Sequence, residues 1–363
     1  MLDEVRSLST NSRLFLLSNG LFSFSSGVFF LVLNIYIVEG LQYSEYFLGI
    51  LVSASSFAAA FSSMPAGIIG DRVGRKRCLS AGATIATLSM VILATTTAQE
   101  ILVIANAVLG FSTMLSYVSF APFMMENTSH TERMHLFSVN GAISTLGRTA
   151  GVLAGGKLPL FLGMAYADSL KATLLISVGF SLISVIPLLF LTEKSEKTYF
   201  SKQIMESTSL MWKFLLTQLL VGFGAGLIVP FFNIFFRIRM QVDIGTIGII
   251  FSIASIATGI ATFLAAPVAT RWGKVRSVVL TQLGSLPFLL LLAYGPHLYV
   301  IIVAYVMREA LMNMGGPISS AFMMEQLKEN ERATVNGIIM GGWNGSWALS
   351  NIMAGTLMSR KYV

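Results

Sequence analysis

Apolar residues in this chain fall into eleven long runs separated by polar or charged gaps. They lie near 14–38, 46–69, 78–98, 101–125, 135–160 and 171–192, then 213–237, 245–268, 277–294, 298–323 and 333–358. A helix needs about 20 such residues to cross the ~30 Å hydrocarbon core of a bilayer. The pattern predicts an all-α integral membrane protein with about eleven transmembrane helices. Most gaps are short. The gap at 193–212, TEKSEKTYFSKQIMESTSLM, is longer and polar. It predicts a cytoplasmic linker, with an amphipathic helix on the membrane surface, between a six-helix bundle at 1–192 and a bundle of about five helices at 213–363.

A second pattern overlies the first. A shift of 199 residues brings Asn34-Ile35-Tyr36 onto Asn233-Ile234-Phe235. The same shift carries Arg72, Gly74 and Arg77 onto Arg271, Gly273 and Arg276, and Phe123-Met124-Met125-Glu126 onto Phe322-Met323-Met324-Glu325. Six helices separate the copies, so both keep the same orientation. The expectation is two helical bundles related by a pseudo-twofold along the membrane normal, the parallel repeat of two-bundle transporters. A counterpart of the sixth run would begin near 370, beyond residue 363. A truncated gene and a natural eleven-helix variant both fit that deficit, and either places the C-terminus outside.

Charge refines the picture. Charged residues make up 11% of the chain and apolar ones 55%, against about 25% charged in soluble domains. The net charge of +7 is spread over the gaps, which is the membrane-orientation pattern and excludes a nucleic-acid partner. Sixteen lysines and arginines fall on one side and six on the other. The N-terminus is therefore expected in the cytoplasm, with the chain in the cell membrane. The single cysteine, Cys78, excludes an intramolecular disulfide and a cysteine metal cluster, and three scattered histidines make no metal site. The chain shows no phosphate loop, nucleophile–base pair or paired catalytic carboxylates. The reading is a non-enzyme without cofactor, acting as a monomer on a small-molecule solute among membrane lipids.

Polar residues inside the runs supply candidate chemistry. Stripes at three- and four-residue spacing run along helix one (Asn19, Ser23, Ser26, Phe30, Asn34) and helix four (Asn106, Gly110, Thr113, Tyr117), with repeat copies in helix seven (Gln218, Gly222, Ala225, Val229, Asn233) and helix ten (Tyr305, Glu309, Met312, Gly316). Such stripes line a cavity or serve as polar glue between packed helices. Arg148 in helix five and Arg308 with Glu309 in helix ten lie near mid-membrane. A charge there costs roughly 2.5–3.5 kcal/mol on insertion scales, so it faces a cavity or a partner. Arg148 is expected in a substrate or gating role, or in a structural ion pair. Glu309 is the candidate proton carrier with Arg308 as counter-ion, or the two form a structural pair.

Gly67-Ile68-Ile69-Gly70-Asp71-Arg72-Val73-Gly74-Arg75-Lys76-Arg77, between helices two and three, resembles the loop signature of the major facilitator superfamily at all six defining positions: Gly67, Asp71, Arg72, Gly74, Arg75 and Lys76. The second half keeps a worn copy in which Thr270 replaces the Asp. The resemblance implies secondary transport by alternating access, with Asp71 meeting the N-terminal end of helix eleven as a gating latch. Glu126 is then a partner for Arg72 or Arg75. Gly151–Gly156 is similar to an antiporter motif with Val152 replacing its proline, which favours export. Asn106 stands where a related motif carries a proton-linked arginine. The competing expectation is a non-transporting sensor or scaffold that keeps the transporter fold.

Overall fold

The computed structural model describes residues 9–127, 130–192, 207–328 and 331–360. Eleven long helices follow one another: α1 (Thr10–Ile35), α2 (Glu45–Val73), α3 (Arg75–Thr95), α4 (Gln99–Asn127), α5 (His130–Phe161), α6 (Tyr166–Leu189), α7 (Thr208–Gly226), α8 (Ile244–Trp272), α9 (Lys274–Tyr294), α10 (Leu298–Gln326) and α11 (Arg332–Ser359). No strand occurs among the described residues. The expected membrane-embedded all-α architecture is present. Boundaries shift modestly. α6 ends at Leu189, where the Phe190 and Leu191 N–H groups turn back to the Pro187 and Leu188 carbonyls, and α7 begins at Thr208 rather than 213. Most of the expected linker, 193–206, lies outside the described residues.

Nine of these helices are long and apolar enough to cross a membrane by length and composition. The other two are α5 and α11. They pack centrally, α5 against α1 and α8, and α11 against α2 and α7. Protein therefore covers much of their surface, and their higher polar content needs less apolar compensation.

Short connections make sequential helices antiparallel. The end holding the start of α1 and the 73–75 turn is the near end; the opposite one is the far end. At the near end Gly74 (φ 107°) and Gly273 (φ 81°) turn the chain between α2 and α3 and between α8 and α9. Both backbone angles favour a residue without Cβ. At the far end α1 finishes in a π-helical turn, Tyr36–Gly40, and α7 continues irregularly into a π turn, Phe235–Arg239. Each is followed by a glutamine at positive φ, Gln42 and Gln241. Ser44 and Asp243 then cap α2 and α8 by accepting from the backbone N–H of Phe47 and Thr246. Every one of these pairs is separated by the 199-residue repeat, so the two halves share turn geometry as well as sequence.

The core shows how the halves meet. At the far end one continuous cluster joins Phe29, Val32, Ile35 and Ile37 of the first half to Phe231, Phe232, Ile234, Phe236 and Tyr305 of the second. Toward the near end the core divides. One cluster holds Phe15, Leu16, Phe123 and Leu136, and a separate one holds Leu215, Met323, Val335 and Ile339. Each half thus has its own core at the near end and a shared one at the far end.

Candidate functional site

The two halves cross at two places, and the crossings are copies of each other. α2 meets α11 where Gly49 lies on Gly355, and α8 meets α5 where Gly248 lies on Gly156. At each point a Cβ would meet backbone atoms of the facing helix. Beside each crossing a serine reaches the other bundle. Ser53 Oγ donates to the Ala348 carbonyl at 2.7 Å, and Ser252 Oγ to the Thr149 carbonyl at 3.3 Å. Hydroxyl-to-carbonyl bonds of this kind hold helices together where lipid offers no alternative partner.

Between the crossings lies a cavity of about 340 Å³. α1 contributes Ser26, Phe30, Leu31 and Asn34, α2 contributes Leu51, Val52, Ser55 and Ser56, and α5 contributes Arg148 and Val152. The irregular end of α7 adds Val229, Pro230 and Asn233, and α8 adds Phe251. Asn34 and Asn233 form its far-end roof. Asn34 Nδ2 donates to the Pro230 carbonyl at 2.8 Å and to Asn233 Oδ1 at 3.4 Å, while Asn233 Nδ2 donates to the Leu31 carbonyl at 3.1 Å. The two side-chain-to-carbonyl bonds are one bond repeated, so the asparagine pair sits on the pseudo-twofold.

Above this roof is an ion pair that sequence reasoning missed. Arg237 Nε donates to both carboxylate oxygens of Glu39, at 2.8 and 2.9 Å. The guanidinium also lies 5.2 Å from the Tyr166 ring centroid and donates to the Val242 carbonyl. One arginine therefore ties the end of α7 to the ends of α1 and α6. The signal available in sequence was two opposite charges 198 residues apart, nearly one repeat, in the two homologous far-end turns. The bonds between the bundles named here all lie in the far half of the molecule. Asp243 nearby is an exposed cap; slight burial pushes its carboxyl up, but hydrogen bonds from the Thr246 hydroxyl and from backbone N–H groups hold it below the usual range.

Arg148 lies in the middle of α5 and is exposed on the cavity. Gly27 lets α5 come this close, since a side chain there would overlap the Arg148 carbonyl. Asn140 and Ser144, two turns and one turn earlier, lie outside the cavity lining. Asn19 Nδ2 donates to both at 2.6 Å, gluing α1 to α5. Gly147, Gly151 and Gly155 continue that seam against α1, and Gly156 serves the α8 crossing. Asn106 lines the cavity but donates to the Leu51 carbonyl at 2.6 Å, and Gly110 lets α4 approach Ser55.

The structure places Arg308 and Glu309 outside the cavity lining. They pair with each other despite being adjacent on α10, and their side chains are 7% and 17% exposed. Asn313 Nδ2 donates to Glu309 at 3.2 Å, and Arg308 lies 5.6 Å from the Phe232 ring centroid. Glu309→Gln leaves Arg308 buried without its counter-charge. Breaking one side of a buried pair costs about 3–5 kcal/mol, and thermal unfolding in detergent should fall accordingly. Arg308→Met with Glu309→Gln should recover most of that loss.

At the near-end loop Arg72 is exposed, Gly67 packs at ordinary distance from Val118, and Gly70 makes room for Arg75 and Ser119. The side chains of Asp71 and Glu126 lie outside the described residues. The repeat copy of the expected Arg75–Glu126 contact is visible: Lys274 pairs with Glu325, on a surface where such pairs contribute at most about 1 kcal/mol.

Two helical bundles around a central cavity, repeated about an axis through Asn34 and Asn233, define a two-domain transporter fold of a multi-pass membrane protein. The family model of the Major Facilitator Superfamily matches residues 15–218 and again 214–361. The chain belongs to this superfamily, whose members are secondary transporters rather than enzymes. Its fold is similar to that of the nucleoside transporter NupG (18% identity, TM-score 0.78, 97% of this chain and 92% of that chain). It is also similar to a bacterial homologue of the human lysosomal transporter Spinster in an inward-facing, unoccupied conformation (14%, 0.78, 98% and 84%) and to a D-xylose–proton symporter (14%, 0.76, 96% and 89%). A comparison with curated proteins gives no significant match.

Proposed function

We propose that this protein carries a small organic solute through the cell membrane by alternating access, as a monomer with its N-terminus in the cytoplasm. The observation that carries the reading is the core that is continuous at the far end and divided at the near end, around a central cavity. A rocking motion about the two glycine crossings would close the near end and open the far end, exposing the same cavity to the other side. In the proposed orientation the described state is closed to the outside. The rigid bodies are the bundles at 1–192 and 213–363, linked by 193–212. Asp71, with Gly67, Arg72, Gly74, Arg75 and Glu126 as its frame, is the proposed near-end latch of the opposite state.

The glycines of 151–156 serve helix crossings, and the proposed direction stays the one their motif resemblance favours, export. Glu309 is the carboxylate proposed to couple protons, by exchanging Arg308 for a proton during the cycle. The test is reconstitution into liposomes, with solutes first chosen by their ability to raise the unfolding temperature. Saturable flux of such a solute is expected. A solute that stabilises the protein but is never carried would instead establish a sensor or scaffold. A pH dependence of flux unchanged in folded Glu309→Gln would end the proton role.

A further inference from the structure

The interior cations of this molecule are not alike. Arg237 is matched by Glu39, and Arg308 by Glu309. Arg148 is mid-helix, exposed on the cavity, and among the described residues its guanidinium has no hydrogen-bond or ion-pair partner. The cavity lining contains no aspartate or glutamate, and no second lysine or arginine. A cation at mid-membrane depth normally faces a water-filled cavity or pairs with an anion. Here the protein does not supply one.

We infer that the solute supplies it: the cavity is built for a monoanionic organic acid whose carboxylate pairs with Arg148. This deepens the proposed transport function and rests on it for the word solute, but not for the binding itself. Three features define the class. The guanidinium presents a planar fork of donors that matches a carboxylate in two parallel hydrogen bonds. A single cation without a second one balances one negative charge, not two. The remaining walls are largely apolar, with Phe30, Phe251, Val52 and Pro230 around the space, so the acid carries a compact apolar body. Ser55 offers a hydroxyl for one further polar group, while that of Ser26 already donates to the Ser23 carbonyl. A volume of about 340 Å³ is at the small end of ligand pockets, which limits the body to roughly one ring or a short branched chain.

Arginine is also required for its shape. Lysine keeps the charge but presents a point donor without the fork, so Arg148→Lys should retain part of the preference for the acid and Arg148→Gln none of it.

The experiment uses the full-length purified protein and three one-ring probes of similar size and different charge: benzoate, neutral benzamide and cationic benzylamine. Binding is read by thermal shift and by calorimetry. Benzoate is expected to bind at least about tenfold more tightly than benzamide, the scale of one charge-assisted interaction, and benzylamine not at all. Arg148→Gln should lose that tenfold preference while keeping the weak benzamide affinity, which also reports that the variant is folded. Equal binding of benzoate and benzamide, a preference for benzylamine, or an unchanged benzoate affinity in Arg148→Gln would each overturn the inference, as would absence of benzoate binding. The two readings fail separately. Arg148-dependent binding without flux in liposomes would sink transport and leave the acid site standing. Flux of a solute that is indifferent to Arg148→Gln would leave transport standing and remove the acid site.

Discussion

Gly156→Val is expected to abolish solute flux and to lower the unfolding temperature by several degrees, and Gly355→Val to do the same at the other crossing. A Cβ at residue 156 would meet the Ile244 carbonyl oxygen at 2.8 Å and the Gly248 Cα at 3.0 Å; at 355 it would meet the Glu45 carbonyl oxygen at 2.7 Å and the Gly49 Cα at 2.9 Å. These are backbone atoms of a rigid helix, so neither contact can be relieved by a side-chain rotation. The helices must separate instead, and overpacking of that kind costs about 1–3 kcal/mol. Separation also lengthens the reach of Ser252 to the Thr149 carbonyl, already 3.3 Å. Gly259→Val is the control, because a Cβ on that part of α8 meets nothing within 4 Å. Thermal unfolding and flux are measured on all three. Wild-type flux in Gly156→Val would show that the bundles do not pivot there.

The second large effect concerns the far-end closure. Glu39→Lys places a cation against Arg237 and should shift the population toward a far-end-open state. The wild-type pair is only about one-quarter exposed, so it is screened less than a surface pair, yet about 1 kcal/mol is a reasonable scale for it. Losing that attraction and adding a weaker, screened repulsion amounts to about 1.4 kcal/mol, a change in the open fraction of about tenfold. The chain's single cysteine, Cys78, is buried, so a Cys78→Ser background with Val38→Cys gives a clean reporter beside the pair. Labelling by an impermeant thiol reagent from the far side should be about tenfold faster in Glu39→Lys. Glu39→Arg with Arg237→Glu should return it to the starting rate. Unchanged labelling in the single variant would mean that the asparagine roof and the shared core close this end without the pair.

Much of the architecture is legible in the sequence. The eleven apolar runs became eleven helices because each is long enough to satisfy its own backbone in lipid. The 199-residue repeat was visible in side chains such as Asn34 and Asn233, and it extends to features that no residue type announces, including the π turns at Tyr36–Gly40 and Phe235–Arg239. The site was only half legible. Polar stripes pointed to Ser26, Phe30, Asn34, Asn106 and Asn233, and all five line the cavity. The same stripes also contained Asn19, whose amide is engaged by Asn140 and Ser144. Periodicity places a polar residue on a face; it does not say whether another helix or empty space lies opposite. The walls from α2 and α8 were missed because Val52, Ser55 and Phe251 do not stand out among residues of their kind.

The sequence alone determined the number of long helices, the duplication and the family, since these depend on hydrophobic length and on motifs that are local in the chain. Pairing was decided only in three dimensions. Arg237 with Glu39, Gly156 on Gly248, and Arg308 satisfied by its neighbour while Arg148 stands without a partner are facts about which helices touch. Contact between helices far apart in the chain follows from packing two bundles against each other, and packing depends on the absence of side chains at a few crossing points. That is why Arg148 and Arg308 look equivalent as mid-membrane charges in the sequence, yet only one of them faces the cavity.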